Sequence, residues 1–501
     1  MESINQIGLP STNGNLRSSI NDRIDAINSR FTTLNQKAYS FKDFGAVGNG
    51  TTDDTSAVQS ALSSGEVIQE RNAASYRITD TLAATMPVIY GIGAGKSKFI
   101  FDDFGGFAGG DGISISADGK YKTSIISDFT IEIKNGNGKN AISTPTGSSI
   151  WSNNSPRFIF QRLLFKGDVE DLTYFGMFDY GWDRYISLGD SHSSVIRDCH
   201  VMGCYDIAED PATANIESTA FYFSGVEGEG GVLIPVIDHC FAHYCGKAVA
   251  FGWQVSNPII INSQFHRGYD GVVALNAATS TAYSVSELQM HNLNINAQRR
   301  CVQILTAAYV NCSNIRTTRA DLGFDHIDTW YGFYLDDVDE ANISNYRAYN
   351  ADITPPFYTN DSVGIYANNC DSITLSKGRV VPYASGGMTI GIHAKDCTRV
   401  DIDGVFINAT EGIVFDTASS SAPDATITGN MYTSNVAESN RVVFRSNVTQ
   451  AGVERLDKLS RASGCDTSAT AVTAGADVSI VRGVDNQIKK YSFGSGAGTY
   501  T

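Results

Sequence analysis

The 501-residue chain has no apolar run approaching the length of a membrane span, and its first residues lack a basic start followed by an apolar core. Neither membrane insertion nor a secretory signal is expected. Basic residues are few: 37 Lys and Arg against 53 Asp and Glu leave a net charge of −16, which argues against nucleic acid as a general partner. Prolines number 11 against 48 glycines, a balance that suits an all-β chain with many tight corners. Cys199/Cys204 and Cys240/Cys245 share a spacing, but no His or Cys cluster completes a zinc pattern, so no metal or cofactor is expected and the thiols read as reduced and structural.

What is present is a phrase written three times: GFYLDDVDEANIS from Gly332, GIYANNCDSITLS from Gly364 and GIHAKDCTRVDID from Gly391. Five columns are apolar in every copy: Phe333/Ile365/Ile392, Leu335/Ala367/Ala394, Val338/Cys370/Cys397, Ala341/Ile373/Val400 and Ile343/Leu375/Ile402. Within each half the apolar residues alternate, as in a strand with one buried face, and the break between halves is a corner. One copy cannot bury its own apolar face, so copies must stack. The fold class expected is an all-β, right-handed, single-stranded parallel β-helix. Upstream, Phe241–Phe251 aligns with Phe265–Leu275 at a step of 24, and Ile295–Leu305 follows 30 residues later. From Ile89 to Tyr432 the periodicity predicts about thirteen rungs, or about 60 Å at one strand spacing per rung.

Two other regions have their own signatures. Ile20, Ile24, Ile27, Phe31 and Leu34 recur at heptad spacing, which favours a short coiled-coil helix with three strands over a helix lying on the body. The stretch SFKDFGAVGNGTTDDTSAVQSAL, Ser40 to Leu62, places three glycines before a helix capped by Thr52, Asp53 or Asp54. It resembles the opening motif of the pectate-lyase-like superfamily, where it is an architectural cap and its aspartates imply no catalysis. Four segments are therefore expected: a helical neck at 1–38, the cap at 39–88, the β-helix at 89–440 and a small C-terminal β element at 441–501. That arrangement resembles bacteriophage tailspikes and capsule depolymerases. The resemblance implies a homotrimer on the virion, attached to a phage tail or baseplate protein and acting on bacterial surface polysaccharide.

Cleavage of a glycan needs two carboxylates flanking the glycosidic bond, or a base with a cation beside a uronic acid. Stacking at the 24-residue step sets His243 beside Arg267, and the next rung sets Arg299 by Tyr269 and Arg300 by Asp270. Gly203–Pro211 reads as an earlier version of the same corner and places Asp206 in the Asp270 column, with Glu209 and Asp210 just beyond. Asp206, Glu209 and Asp270 are the catalytic candidates; a solvated ion pair is the competing reading of Asp270. His243, Arg267, Tyr269 and Arg300 are the substrate-binding candidates at that corner. Trp330 and Tyr331, after Asp321, Asp325 and Asp328, and Trp182, beside Asp179 and Asp183, are aromatic platform candidates. Gly-Asp-Ser at Ser191 matches an esterase nucleophile signature, but it runs into a strand without the α/β pattern that chemistry requires. Hydrolysis of a capsule or lipopolysaccharide glycan is the leading expectation, with a polysaccharide lyase or a non-catalytic adhesin as alternatives.

Overall fold

The apolar columns of the repeat become ladder partners in the computed structural model. It describes residues 38–102, 110–117, 122–145, 156–167, 181–204, 217–225, 231–275, 285–320, 329–350, 361–382, 387–417, 424–433, 436–437 and 440–445, with strands Arg455–Asp457, Asp477–Val481 and Ile488–Ser492 beyond. Phe333 pairs with Ile365 and Ile365 with Ile392; Ile343, Leu375 and Ile402 follow the same order, all in parallel. Every residue of the five columns is buried. The predicted coiled-coil helix lies outside the described residues.

Three parallel sheets run the length of the coil. Sheet 1 passes from Leu82–Thr85 to Val442–Phe444 in twelve successive pairings, hence thirteen strands, eleven of them within Ile89–Tyr432, where the periodicity predicts about thirteen rungs. Sheet 2 runs from Val67–Gln69 to Arg455–Asp457. Sheet 3 runs from Asn49–Asp53 to Met431–Tyr432. Each rung visits sheets 1, 2 and 3 in turn, and the inward side chains of all three form one continuous core. The described cysteines lie in or beside this core and are free of disulfides.

The corner between sheets 2 and 3 is built by a recurrent left-handed residue. Asn262, Asn292, Asn314 and Asn345 all have φ between 47° and 56°, a region asparagine tolerates better than most side chains. Their amides join into a ladder: Asn292 donates to Asn262 at 3.0 Å, Asn314 to Asn292 at 2.6 Å and Asn345 to Asn314 at 3.3 Å. Asn262 in turn donates to Asp238 at 3.1 Å. Each side-chain amide thereby donates to the side-chain oxygen at the preceding rung's corner.

The cap forms where the motif predicts it, around a 3-10 turn Phe41–Phe44 and a helix Thr55–Ser63. Asp54 occupies the N-cap position, yet its buried carboxylate accepts instead from the backbone of Val47 and Gly48 at 2.6 and 3.0 Å. Asp53 takes over the helix start, accepting from the Thr55 amide at 3.0 Å. Gly48 sits at φ 69°, where an added Cβ would lie 3.0 Å from Ala74 and from Tyr76, so that turn needs glycine. Both acids are spent on architecture.

Parallel pairing already starts with Asn49–Asp53 and Val67–Gln69, inside the span read as cap. At the other end Arg455–Asp457 pairs with Thr426–Thr428 of sheet 2, and Asp477–Val481, in a hairpin with Ile488–Ser492, pairs with Arg455–Asp457 in turn.

Candidate functional site

The register around the favoured corner differs from the sequence alignment by one residue. Phe241 pairs with Gln264 and His243 with His266, a step of 23 rather than 24. A one-residue slip exchanges the two faces of a strand. Accordingly Ala242 and Phe265 point into the core, while Phe241 faces outward. His243 stands beside His266, not Arg267, and the Arg267 guanidinium donates to the Tyr244 hydroxyl at 2.6 Å. His200, Phe241, His243 and His266 form a ring cluster on sheet 3, with His243 and Phe241 centroids 4.0 Å apart. Burial, then the neighbouring His266, His200 and Arg267, pushes the His243 imidazole down to about 4. Burial also lowers His200 and His266, assisted by Lys166 and by Arg267 and Arg316 respectively. All three imidazoles are thus held below their ordinary value by burial, with basic neighbours acting in the same direction.

Asp270 does pair with Arg300 in the ladder, but its ion partner is Arg299. Arg299 grips both oxygens, Nε to Oδ1 at 3.1 Å and Nη2 to Oδ2 at 2.5 Å. The Asp270 side chain is 1 % exposed, so this is a buried bidentate pair, not a solvated one. Tyr269 is also buried, with the Arg299 guanidinium 4.5 Å over its ring. In the Asp270 column the two preceding rungs carry Lys247 and Thr219, so Thr219 holds the place expected for Asp206. Asp206, Glu209 and Asp210 lie outside the described residues, as do Asp321, Asp325, Asp328 and Asp179.

Both tryptophans proposed as platforms face the core. Trp182 packs edge-on against Phe101 at 5.5 Å, and Trp330 is equally buried. Neither can reach a glycan. Ser191 is buried too, consistent with a strand residue and not an exposed nucleophile. Desolvation raises the carboxyl of Asp183, on sheet 1 next to Trp182, against the opposing charges of Arg184 and Lys139.

The outer face of sheet 1 carries what the candidates lacked. The third residue of each repeat copy, Tyr334, Tyr366 and His393, lies between two inward apolar columns and therefore points out. Tyr334 and Tyr366 stack at 5.0 Å with planes 24° apart, and His393 meets Tyr366 edge-on at 5.1 Å. Tyr331 closes the group, 5.0 Å from Tyr334 and 5.6 Å from Tyr366. Val363 and Ile390, which continue the Tyr331 column, and Val414, which follows His393, form a small apolar cluster separate from the main core, with Tyr331 and Tyr366 packed against it. Arg300 lies 4.5 Å over Tyr334 and 5.9 Å from Tyr331, and its buried Nε has no hydrogen-bond partner among the described residues. Burial and the adjacent phenols raise Tyr366, while burial and Arg445 lower His393. The run follows the coil axis over three rungs, an amphipathic ring surface with a cation at one end. Sequence reasoning named Tyr331 and Arg300 of this group but passed over Tyr334, Tyr366 and His393 because the repeats looked like scaffold, although an aromatic ring in the third place of all three copies was the signal.

Among the described residues no group of three or more His, Cys, Asp or Glu could hold a metal ion. No protein-family model and no curated protein matches the chain. Solved structures similar to it include the A-module of the mannuronan C-5 epimerase AlgE6 of Azotobacter vinelandii, at 13% identity over 79% of this chain and 99% of that one, TM-score 0.46. The Dettilon tailspike protein is similar at 15% identity over 80% of this chain and 67% of that one, TM-score 0.43. The adhesin PfbA of Streptococcus pneumoniae is similar at 12% identity over 81% of this chain and all of that one (100%), TM-score 0.43. These similarities concern the fold alone.

Proposed function

We propose that the protein binds an extended bacterial surface polysaccharide along the outer face of sheet 1 and depolymerises it by endo-hydrolysis, as a homotrimeric tailspike on a phage virion. The observation that carries the reading is the aromatic run Tyr331, Tyr334, Tyr366 and His393, aligned with the coil axis and only partly exposed. Ring faces in series suit successive sugar rings, and the coil gives them the rigid backing that oriented stacking needs. Asp270, locked by Arg299, positions the corner; the acid and base roles fall to Asp206 and Glu209, which precede Thr219 in the same passage from sheet 3 to sheet 1.

A second reading is favoured by Arg300. Its unpartnered Nε beside two phenols would neutralise a uronate carboxylate, as a polysaccharide lyase requires. Incubation with host capsule or lipopolysaccharide separates the readings. New reducing ends without unsaturated products support hydrolysis, unsaturated uronates absorbing in the ultraviolet support elimination, and binding without products leaves an adhesin. For the site, Tyr366→Ala together with Tyr331→Ala should weaken binding at least tenfold, about 1.4 kcal/mol, with an unchanged circular dichroism spectrum. Unchanged affinity would remove sheet 1 as the binding face. Asp206→Asn and Glu209→Gln should each abolish turnover while preserving binding.

A further inference from the structure

Sheet 3 carries a second feature, independent of the sheet 1 reading. Arg316, Arg347 and Arg379 are ladder partners on three consecutive rungs, all exposed and about one strand spacing (~4.8 Å) apart. None forms an ion pair with a described residue, whereas other arginines on the coil do: Arg162 with Asp128, Arg197 with Asp238 and Arg399 with Asp401. Arg197 and Asp238 are themselves ladder partners, the sign alternation expected where stability alone is served. Three like charges in register oppose stacking instead, in a chain with more acids than bases to choose from. From His200 to Met431 this outward column contains no Asp or Glu.

The guanidinium groups are also oriented. Arg316 lies 5.2 Å over the Tyr349 ring and Arg379 5.0 Å over Phe406. Stacking holds the planar groups by their faces and leaves their N–H edges to donate. We infer that the outer face of sheet 3 is a binding track for an acidic polysaccharide, with Arg316, Arg347 and Arg379 each taking a carboxylate of successive sugar residues. The rung spacing is close to the advance of one sugar in an extended chain, so charge and register repeat together. Tyr349 stands beside the column on the Arg347 rung, and Phe406 follows Arg379 one rung on, so the track is flanked by ring surfaces. Nucleic acid is the poorer occupant because the net charge of −16 repels a polyanion of high linear charge density everywhere else on the molecule.

The test uses the full chain and short oligomers of polygalacturonate and polysialic acid, which carry a carboxylate on every sugar, in low salt, with neutral dextran as control. At least one acidic oligomer should bind, dextran should not, and added salt should weaken binding steeply. Arg316→Gln/Arg347→Gln/Arg379→Gln should lower the affinity at least tenfold, and the corresponding triple lysine variant should recover part of it. The triple glutamine variant should lose this salt-sensitive binding in the wild-type background and in Tyr331→Ala/Tyr366→Ala alike, which separates it from the sheet 1 reading. The inference is overturned if no acidic oligomer binds, if the triple glutamine variant binds as wild type does, or if the tyrosine variant alone loses binding. Equal or tighter binding of a single-stranded DNA oligomer would overturn the choice of polysaccharide.

Discussion

Removing the Asp270 carboxylate tests whether that residue supports the corner or does chemistry. With Asp270→Ala, Arg299 loses the two hydrogen bonds to Asp270 and the counter-charge of that ion pair. Breaking a fully buried pair costs about 3–5 kcal/mol because the orphaned charge stays desolvated. Here the Arg299 side chain is 27% exposed and can turn partly to water, so about 2–3 kcal/mol is the expected loss. Asp270→Asn keeps an acceptor without the charge and should lose about half as much. A solenoid need not unfold in one step, so the readout is local: native-state hydrogen exchange of Gln264–Ala274 and its neighbours on sheet 1. A 2–3 kcal/mol change speeds exchange by about 30- to 150-fold there. Arg299→Met orphans a carboxylate only 1% exposed and should cost more than Asp270→Ala, about 3–5 kcal/mol, and turnover should persist in both wherever the coil remains intact. The reasoning fails if exchange changes less than threefold, or if Asp270→Asn abolishes turnover while Arg299→Met does not.

Two further outcomes follow from the corners and from the histidines. Asn292→Ala removes two side-chain hydrogen bonds and puts alanine at φ 56°, whereas Asn292→Gly removes the bonds but relieves the backbone. Both should destabilise, alanine by about 1 kcal/mol more than glycine, as read by exchange at the corner amides; equal losses would show that the left-handed conformation carries no cost there. His243, with its imidazole held down to about 4, stays neutral in the folded coil at pH values where the unfolded chain already protonates. The unfolded state therefore binds the extra proton, and the contribution to stability is complete above about 6.5 and is lost as pH falls from there to about 4. His200 and His266 act in the same direction. Chemical unfolding at pH 7 and pH 4.5 should show a lower midpoint in acid, and His243→Phe should reduce that difference; a pH-independent midpoint would count against the buried neutral ring cluster.

The three repeat copies were readable because alternation and stacking act together: each apolar residue is constrained twice, by its strand and by the rungs on either side. The step upstream was misread for the same reason in reverse. Phe241 faces outward but matches Phe265 by type, and aligning the two phenylalanines shifted the register by one. Trp182 and Trp330 were offered to the substrate because both neighbour acids in sequence, yet strand alternation turns them inward. Composition reports which residues are adjacent, not which face they share. Tyr334, Tyr366 and His393 suffered the opposite error, since outward residues between apolar columns read as filler. The asparagine ladder was hidden by its irregular steps of 30, 22 and 31 residues, which a search for a fixed period does not find.

Those uneven steps have an evolutionary consequence. The chain passes from sheet 3 to sheet 1 through Gly203 to Ser218 on one rung and through only Tyr244 to Gly246 on the next. Despite that difference, Thr219 meets Lys247 and Phe221 meets Val249 in unbroken register. Length added at this corner is therefore absorbed locally, and the core on either side is indifferent to it. A lineage could exchange the whole passage for a foreign one and alter what the molecule recognises without re-solving how it folds. A graft replacing 203–218 by a passage as short as Tyr244–Gly246 should leave a soluble coil with a changed ligand spectrum.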